Sequence, residues 1–285
     1  MGNTENNNAG NFQMVVKSAM NLPGVQIKRN DFLRKELTPK FKPEIVELAI
    51  EKNPAHAGIT TKELATIAKG CINFETNHAT ALSFAAGLPG GVWAFGTIPA
   101  DLAQYYARLI RILQKLVYLY GWPELYNSDG EFDDETQVQL ILFLGVMVGV
   151  GMANAAVAKL AQTAAVKVEK DLIRKALTKG TIYPIVKKIA QILGVKMTKE
   201  VFAKGVGKVV PVLGGIVSGA LTYATFKPMS WRLKEHLEKL PMAHVEFYRD
   251  YKDDETATVE PDFSDFEDYD DFENYQACEF QYNFD

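Results

Sequence analysis

A chain with three long apolar stretches must bury them against one another or place them in lipid. Here they are Leu82–Tyr120, Thr136–Ala158 and Val209–Phe226. The first breaks at Pro89, Gly90 and Gly91, breaks again at Thr97-Ile98-Pro99, and then becomes a charged amphipathic helix. The second carries no charge for 23 positions, about 34 Å of helix at 1.5 Å per residue, against a bilayer core of roughly 30 Å. The third runs for 18 residues between Lys208 and Lys227. Each holds glycines four apart: Gly87 and Gly91, Gly145 and Gly149, Gly215 and Gly219. The last two pairs predict helix-packing faces on which small residues let backbones approach. In the first, Pro89 intervenes and predicts a turn. Nine residues between 140 and 158 are Leu, Ile, Phe or Val, so insertion of that segment gains about 3–5 kcal/mol before the weak Gly and Asn154 terms are subtracted. The alternative is a soluble bundle with these helices at its core.

Strand signals are almost absent, since no run of alternating Val, Ile or Thr is bounded by turns. The expected class is all-α: a helical bundle with Gly-rich hydrophobic helices. Residues 1–13 read as a flexible polar leader, 14–252 as the helical domain and 253–285 as a disordered acidic tail. Thr60-Thr61-Lys62-Glu63 is a capping box. Thr97 is a candidate N-cap with Pro99 in the first turn, and Gly121-Trp122-Pro123 stops that helix. Asp101, Arg108, Arg111 and Lys115 share one stripe of it. Asp133 or Asp134 caps the next helix. Gly180 and Gly194 divide the segment 159–208 into short basic helices, and Pro228 starts a last charged helix.

The net charge of −4 conceals a segregation. Residues 253–285 hold 13 Asp and Glu and no Lys or Arg, leaving 31 basic and 22 acidic residues in the first 252, a net of +9. A basic body with an acidic tail predicts a tail that binds a partner or folds back on its own body. The tail repeats Asp262-Phe263, Asp265-Phe266, Asp268-Tyr269 and Asp271-Phe272, and Asn274-Tyr275 continues the beat. A period of three matches neither an α-helix nor a strand, and the charge density predicts disorder in the free state. Phe263, Phe266, Tyr269, Phe272 and Tyr275 are the candidate partner-binding anchors, with the acids steering towards a basic protein.

Two cysteines, Cys71 and Cys278, have no paired spacing and fit a reducing compartment. No basic-then-apolar signal peptide opens the chain. The expected location is the cytoplasm or the cytoplasmic face of a membrane.

Cys71, Glu75 and His78 lie at i, i+4 and i+7, and Glu75-x-x-His78 echoes half of a di-iron helix motif. The second half is missing, so the stripe reads as a half-exposed polar face and a metal site is a weak candidate only. No nucleophile elbow or phosphate loop is present, and Gly205-Val206-Gly207-Lys208 lacks the strand that such a loop follows. No cofactor is expected. The basic segment 159–208 has 12 Lys or Arg against three acids. It lacks the aromatic interleaving of nucleic-acid binders, which points to anionic lipid headgroups.

GLPGG at Gly87–Gly91, TIPAD at Thr97–Asp101, LYGW at Leu119–Trp122 and VPVLGGIVSGALTYATF at Val210–Phe226 resemble the EcsC protein family, over roughly residues 60–240. Family members often carry Asn where Tyr223 stands. The resemblance implies a helical, hydrophobic bacterial protein, accessory to a transport system as the family's namesake is encoded beside an ABC transporter. It transfers no catalytic residue.

The function expected from these features is that of a non-enzymatic, membrane-associated helical protein acting through lipid and protein contacts. Two alternatives stand beside it. One is a soluble bundle that binds an apolar ligand, whether as a binding protein or as an enzyme with Glu75, His78, Asp101 and Arg108 around its mouth. The other is a membrane-permeabilising effector.

Overall fold

The computed structural model describes residues 12–87, 100–126, 132–166, 177, 182–196, 214–250 and 263. Residues 12–20 form helix α1. Then follow α2 (Arg29–Leu37), α3 (Pro43–Glu51), α4 (Thr61–Gly87), α5 (Ala100–Leu119), α6 (Asp134–Met147), α7 (Gly151–Val166), α8 (Ile182–Lys196), α9 (Gly214–Leu237), a 3-10 turn at Pro241–Ala243 and α10 (Val245–Asp250). Among the described residues there is no strand, and the class is all-α. Thr97, Gly91, Gly180, Gly205–Lys208 and the tail positions Phe266, Tyr269, Phe272 and Tyr275 lie outside the described residues.

Local chemistry starts and stops several helices as the sequence predicts. The Thr60 amide donates to Glu63 Oε2 at 2.9 Å, and the Glu63 amide donates back to Thr60 Oγ1 at 3.3 Å. That reciprocal pair satisfies two of the donors that a helix start leaves open. Asp133 accepts from the Thr136 amide at 3.0 Å and opens α6. At the end of α5, Gly121 adopts φ 93°. Its amide donates to the Tyr118 carbonyl, and the Trp122 amide reaches back to Val117. This is a Schellman stop, which glycine permits because it lacks a Cβ.

The second apolar stretch is not one rod. Gly149 has φ 79°, its amide donates to Val146, and the Val150 amide donates to Gly145. The same Schellman geometry thus ends α6 and lets α7 turn back against it. Gly149 serves this turn and not a packing face, which corrects the role expected for it. Gly145 sits at a close approach: a Cβ built there would lie 2.6 Å from Ala153 Cβ and 2.9 Å from Ile189 Cγ2. Gly215 and Gly219 fall at the start of α9.

Pro228 and Gly194 play other parts than the sequence predicts. Pro228 lies inside α9 and does not begin a helix. Proline removes one helical N–H, but packing of α9 on α4 and α5 carries the helix through, and Ser230 Oγ donates to the Phe226 carbonyl at 2.8 Å. Gly194 is enclosed within α8 and divides nothing. No helix of the described residues is long and apolar enough to cross a membrane, which bears on the 136–158 reading and on the described part, from Gly214, of the 209–226 reading. The first is cut at Gly149. In the second, the part from Gly214 onward continues into the charged residues Lys227, Arg232 and Lys234.

α5 is the helix the others enclose. From Ala103 to Leu119 only Gln104 is exposed, and Leu109, Ile110, Ile112, Leu113, Leu116 and Val117 are wholly buried. α2, α4, α6 and α9 pack around it. Gln114, also fully buried, accepts from the Ile27 amide at 2.9 Å and donates to the Val25 carbonyl at 2.8 Å, fixing the loop that enters α2. Arg29 is 5% exposed. It donates to the carbonyls of Ala49, Ile50 and Lys52 at the end of α3 and to that of Trp122 after α5. Its charge thereby meets the negative end of the α3 dipole. Burial lowers its pKa to about 10, opposed by the attraction of Glu124.

Candidate functional site

The direction of the helices follows from their cross-contacts. Arg108 on α5 donates to the Ala79 carbonyl on α4 at 3.3 Å, and Lys115 meets Glu75 at 2.6 Å. α4 and α5 are therefore antiparallel. Tyr105 donates to Thr225 Oγ1 at 2.9 Å and Tyr120 to Glu238 at 2.8 Å, so α9 runs parallel to α5. Thr61, at the start of α4, donates to the Ala243 carbonyl just beyond α9. The end of α4 at Gly87 and the starts of α5 and α9 at Ala100 and Gly214 thus lie at one end of the trio.

Midway along the trio runs an ionic seam. Glu75 is 2% exposed, with Lys115 Nζ at 2.6 Å and Arg111 at 3.5 Å from the same carboxylate oxygen. Arg111 also donates to the Gly24 carbonyl. Burial lowers the pKa of Arg108, and the Glu75 charge opposes it. Among the described residues Glu75 is the carboxylate that Arg108, Arg111 and Lys115 share. The spacing that puts Arg108, Arg111 and Lys115 on one stripe turns that stripe towards α4, where the sequence had shown only a shared face. Asp101 lies in the first turn of α5.

The weak metal candidates are placed apart by burial and chemistry. Glu75 is engaged by Lys115 and Arg111. His78 is exposed and stacks on Phe74, with centroids 6.1 Å apart and planes 7° from parallel. Cys71 is buried, and desolvation pushes its thiol up to about 12, away from the thiolate that binds metal or attacks as a nucleophile. Among the described residues no three His, Cys, Asp or Glu side chains group as a metal site.

The aromatic rim of the seam was not legible. Phe74 is 63% exposed, and Lys115 Nζ lies 5.4 Å from its ring centroid. Its helical neighbours Gly70, Asn77 and His78 are all exposed, so polar positions at i−4, i+3 and i+4 were the available signal. A shallow depression on the exposed side of α2 is lined by Asp31, Arg34, Lys35, Thr38 and Pro39.

Phe263 is the one tail anchor within the described residues. It is 2% exposed and belongs to the same buried cluster as the helices. At this residue the chain contacts the body, one of the two outcomes expected of the tail.

No family model matches the chain, and no curated protein or solved structure is detectably similar to it.

Proposed function

We propose that the protein is a non-enzymatic helical protein that acts at an anionic membrane surface, held by shallow apolar contact at one end of its helix trio. The observation that carries this reading is the convergence of Gly87, Ala100 and Gly214 at that end. The sequence joining the first two, LPGGVWAFGTIP, has no charge and contains Trp93 and Phe95. The sequence entering the third, VVPVL at 209–213, is apolar and follows Lys204 and Lys208. Tryptophan prefers the headgroup boundary, and each lysine near an anionic surface contributes about 1 kcal/mol. Two short apolar segments, one of them preceded by lysines, suit a shallow insertion better than a spanning helix.

The ionisable groups of the seam pair with one another in the manner of structural ties, which supports a role without covalent chemistry. The EcsC resemblance extends the proposal to a bacterial protein accessory to transport, on the cytoplasmic face of its membrane. The tail remains the proposed contact for a protein partner.

Flotation of the full chain with vesicles tests the reading. It expects recovery with phosphatidylglycerol vesicles, little with phosphatidylcholine, and loss of recovery in a Trp93→Ser/Phe95→Ser variant that keeps its helicity. Equal behaviour on the two lipids, or no flotation, overturns it.

A further inference from the structure

Tyr223 and Lys227 form an exposed pair one turn apart on α9. Tyr223 is 43% exposed. Lys227 Nζ donates to its hydroxyl at 2.8 Å and lies 5.0 Å from its ring centroid. Thr225, two residues on, meets Tyr105 of α5, so Tyr223 leaves the helix from nearly the opposite side, away from the trio.

An ammonium can only donate, so the phenol oxygen accepts and its own proton is left to donate. Accepting from a cation strengthens that O–H as a donor. Among the described residues no carboxylate pairs with Lys227, and α9 carries no Asp or Glu before Glu235, two turns beyond it. Lys234 is the contrast on the same helix. It also lies 5.0 Å from an aromatic ring, that of Trp231, but Glu238 neutralises it at 2.6 Å. The Tyr223–Lys227 pair thus presents a phenol proton beside a charged donor on the outer surface. A phosphate oxygen suits that combination, since its negative charge strengthens both bonds.

Position along the helix fits the same ligand. Tyr223 lies nine residues beyond Gly214, about 13 Å along the axis at 1.5 Å per residue. The Lys227 side chain leans back towards the helix start and meets it at that level. Interfacial apolar segments sit about 5–10 Å into the boundary between headgroups and acyl chains. With the Gly214 end at such a depth, the pair stands roughly 3–8 Å above that boundary, and the headgroup layer is about 5–7 Å thick.

We propose that Tyr223 and Lys227 clamp the phosphate of an anionic lipid headgroup and set the depth at which the helix trio stops in the membrane. The donor geometry stands by itself; the lipid as the source of the phosphate rests on the membrane reading above.

Acetylation of the full chain, read lysine by lysine by mass spectrometry, tests the clamp without any variant. Phosphatidylglycerol vesicles should slow the reaction of Lys227 at least about threefold. Lys62 and Lys239, exposed at the far end where Thr61 meets Ala243, should change by less than about 1.5-fold, because a membrane's surface potential fades within a screening length. Millimolar inorganic phosphate without vesicles should protect none of the three. In flotation with the same vesicles, Lys227→Gln should weaken binding about fivefold, the effect of one lysine near an anionic surface. The charge-matched Lys62→Gln should weaken it by less than about 1.5-fold. Tyr223→Phe should cost about threefold. The double variant should lose about fivefold and not the product of about fifteenfold, because both side chains serve one phosphate.

Protection by inorganic phosphate alone overturns the lipid as the source. Lys227 left reactive on vesicles that carry the protein, equal protection of all three lysines, equal losses from Lys227→Gln and Lys62→Gln, or strictly multiplicative losses in the double variant overturn the clamp and leave the membrane reading standing. A native chain that floats with no vesicle overturns both.

Discussion

Lys115 and Glu75 meet across the interface of α4 and α5, Nζ 2.6 Å from Oε1, with the carboxylate 2% and the lysine 12% exposed. The contact fixes the register of two antiparallel helices, and Arg111 supports it from one turn earlier on α5. A buried pair of this kind costs more to break than to replace whole. Glu75→Gln leaves Lys115 and Arg111 facing a neutral amide and should cost about 2–4 kcal/mol in urea unfolding. A double Glu75→Gln/Lys115→Met variant should be more stable than the sum of the two single losses predicts, by about 1–3 kcal/mol. Strict additivity would show that the seam is merely a surface contact.

Three glycines should respond in three ways to alanine. Gly145→Ala places a methyl 2.6 Å from Ala153 Cβ and should cost about 1–3 kcal/mol through overpacking, partly restored by Ala153→Gly. Gly149→Ala forces a left-handed backbone at φ 79° and should cost about 1–2 kcal/mol. Gly70→Ala, inside α4 with nothing within 4 Å of the new methyl, should gain about 0.5–1 kcal/mol. Thermal melts of the three variants read the order directly.

Alkaline pH should unfold the protein through its buried acids. Burial pushes the Cys71 thiol up to about 12 and the Tyr248 phenol up to about 12. Burial likewise raises Tyr106, Tyr118 and Tyr120, the last also through its bond to Glu238. The folded chain keeps these protons where the unfolded chain has lost them. Their contribution is fully present below the unfolded values, near 9 for the thiol and 10 for the phenols, and falls as pH rises through the folded ones. The slope is about 1.4 kcal/mol per unit for each proton retained. Unfolding monitored by tyrosinate absorbance should therefore be abrupt and shared by several tyrosines, and Cys71 should resist alkylation until that transition. Gradual, independent titration would contradict the burial assigned to these side chains.

What the sequence revealed was local chemistry. The capping box at Thr60 and Glu63, the Asp133 cap and the Gly121 stop each involve residues within six positions of one another, and each helix boundary could be read from them. Gly149 uses the same stop as Gly121, yet apolar neighbours on both sides and a partner glycine at 145 gave it the look of a packing face. Uncharged length does not distinguish one rod from two that fold back. The seam was half legible: spacing placed Arg108, Arg111 and Lys115 on one stripe, while their partner Glu75 lies 40 residues from Lys115 on another helix. Arg29 and Gln114 were invisible because their partners are backbone groups far away in sequence. Period three in the tail was visible, but burial of Phe263 depends on the body it meets.

The most direct measurement of the central claim is the depth of Trp93 in phosphatidylglycerol vesicles, read by brominated-lipid quenching in a Trp231→Phe chain, where the fully buried Trp122 supplies a constant background. Shallow labels near the headgroups should quench Trp93 strongly and labels at the bilayer centre weakly, with 1 M salt releasing the protein. Strongest quenching from the centre, or none at any depth on vesicles that carry the protein, would contradict shallow insertion at the converging ends of α4, α5 and α9.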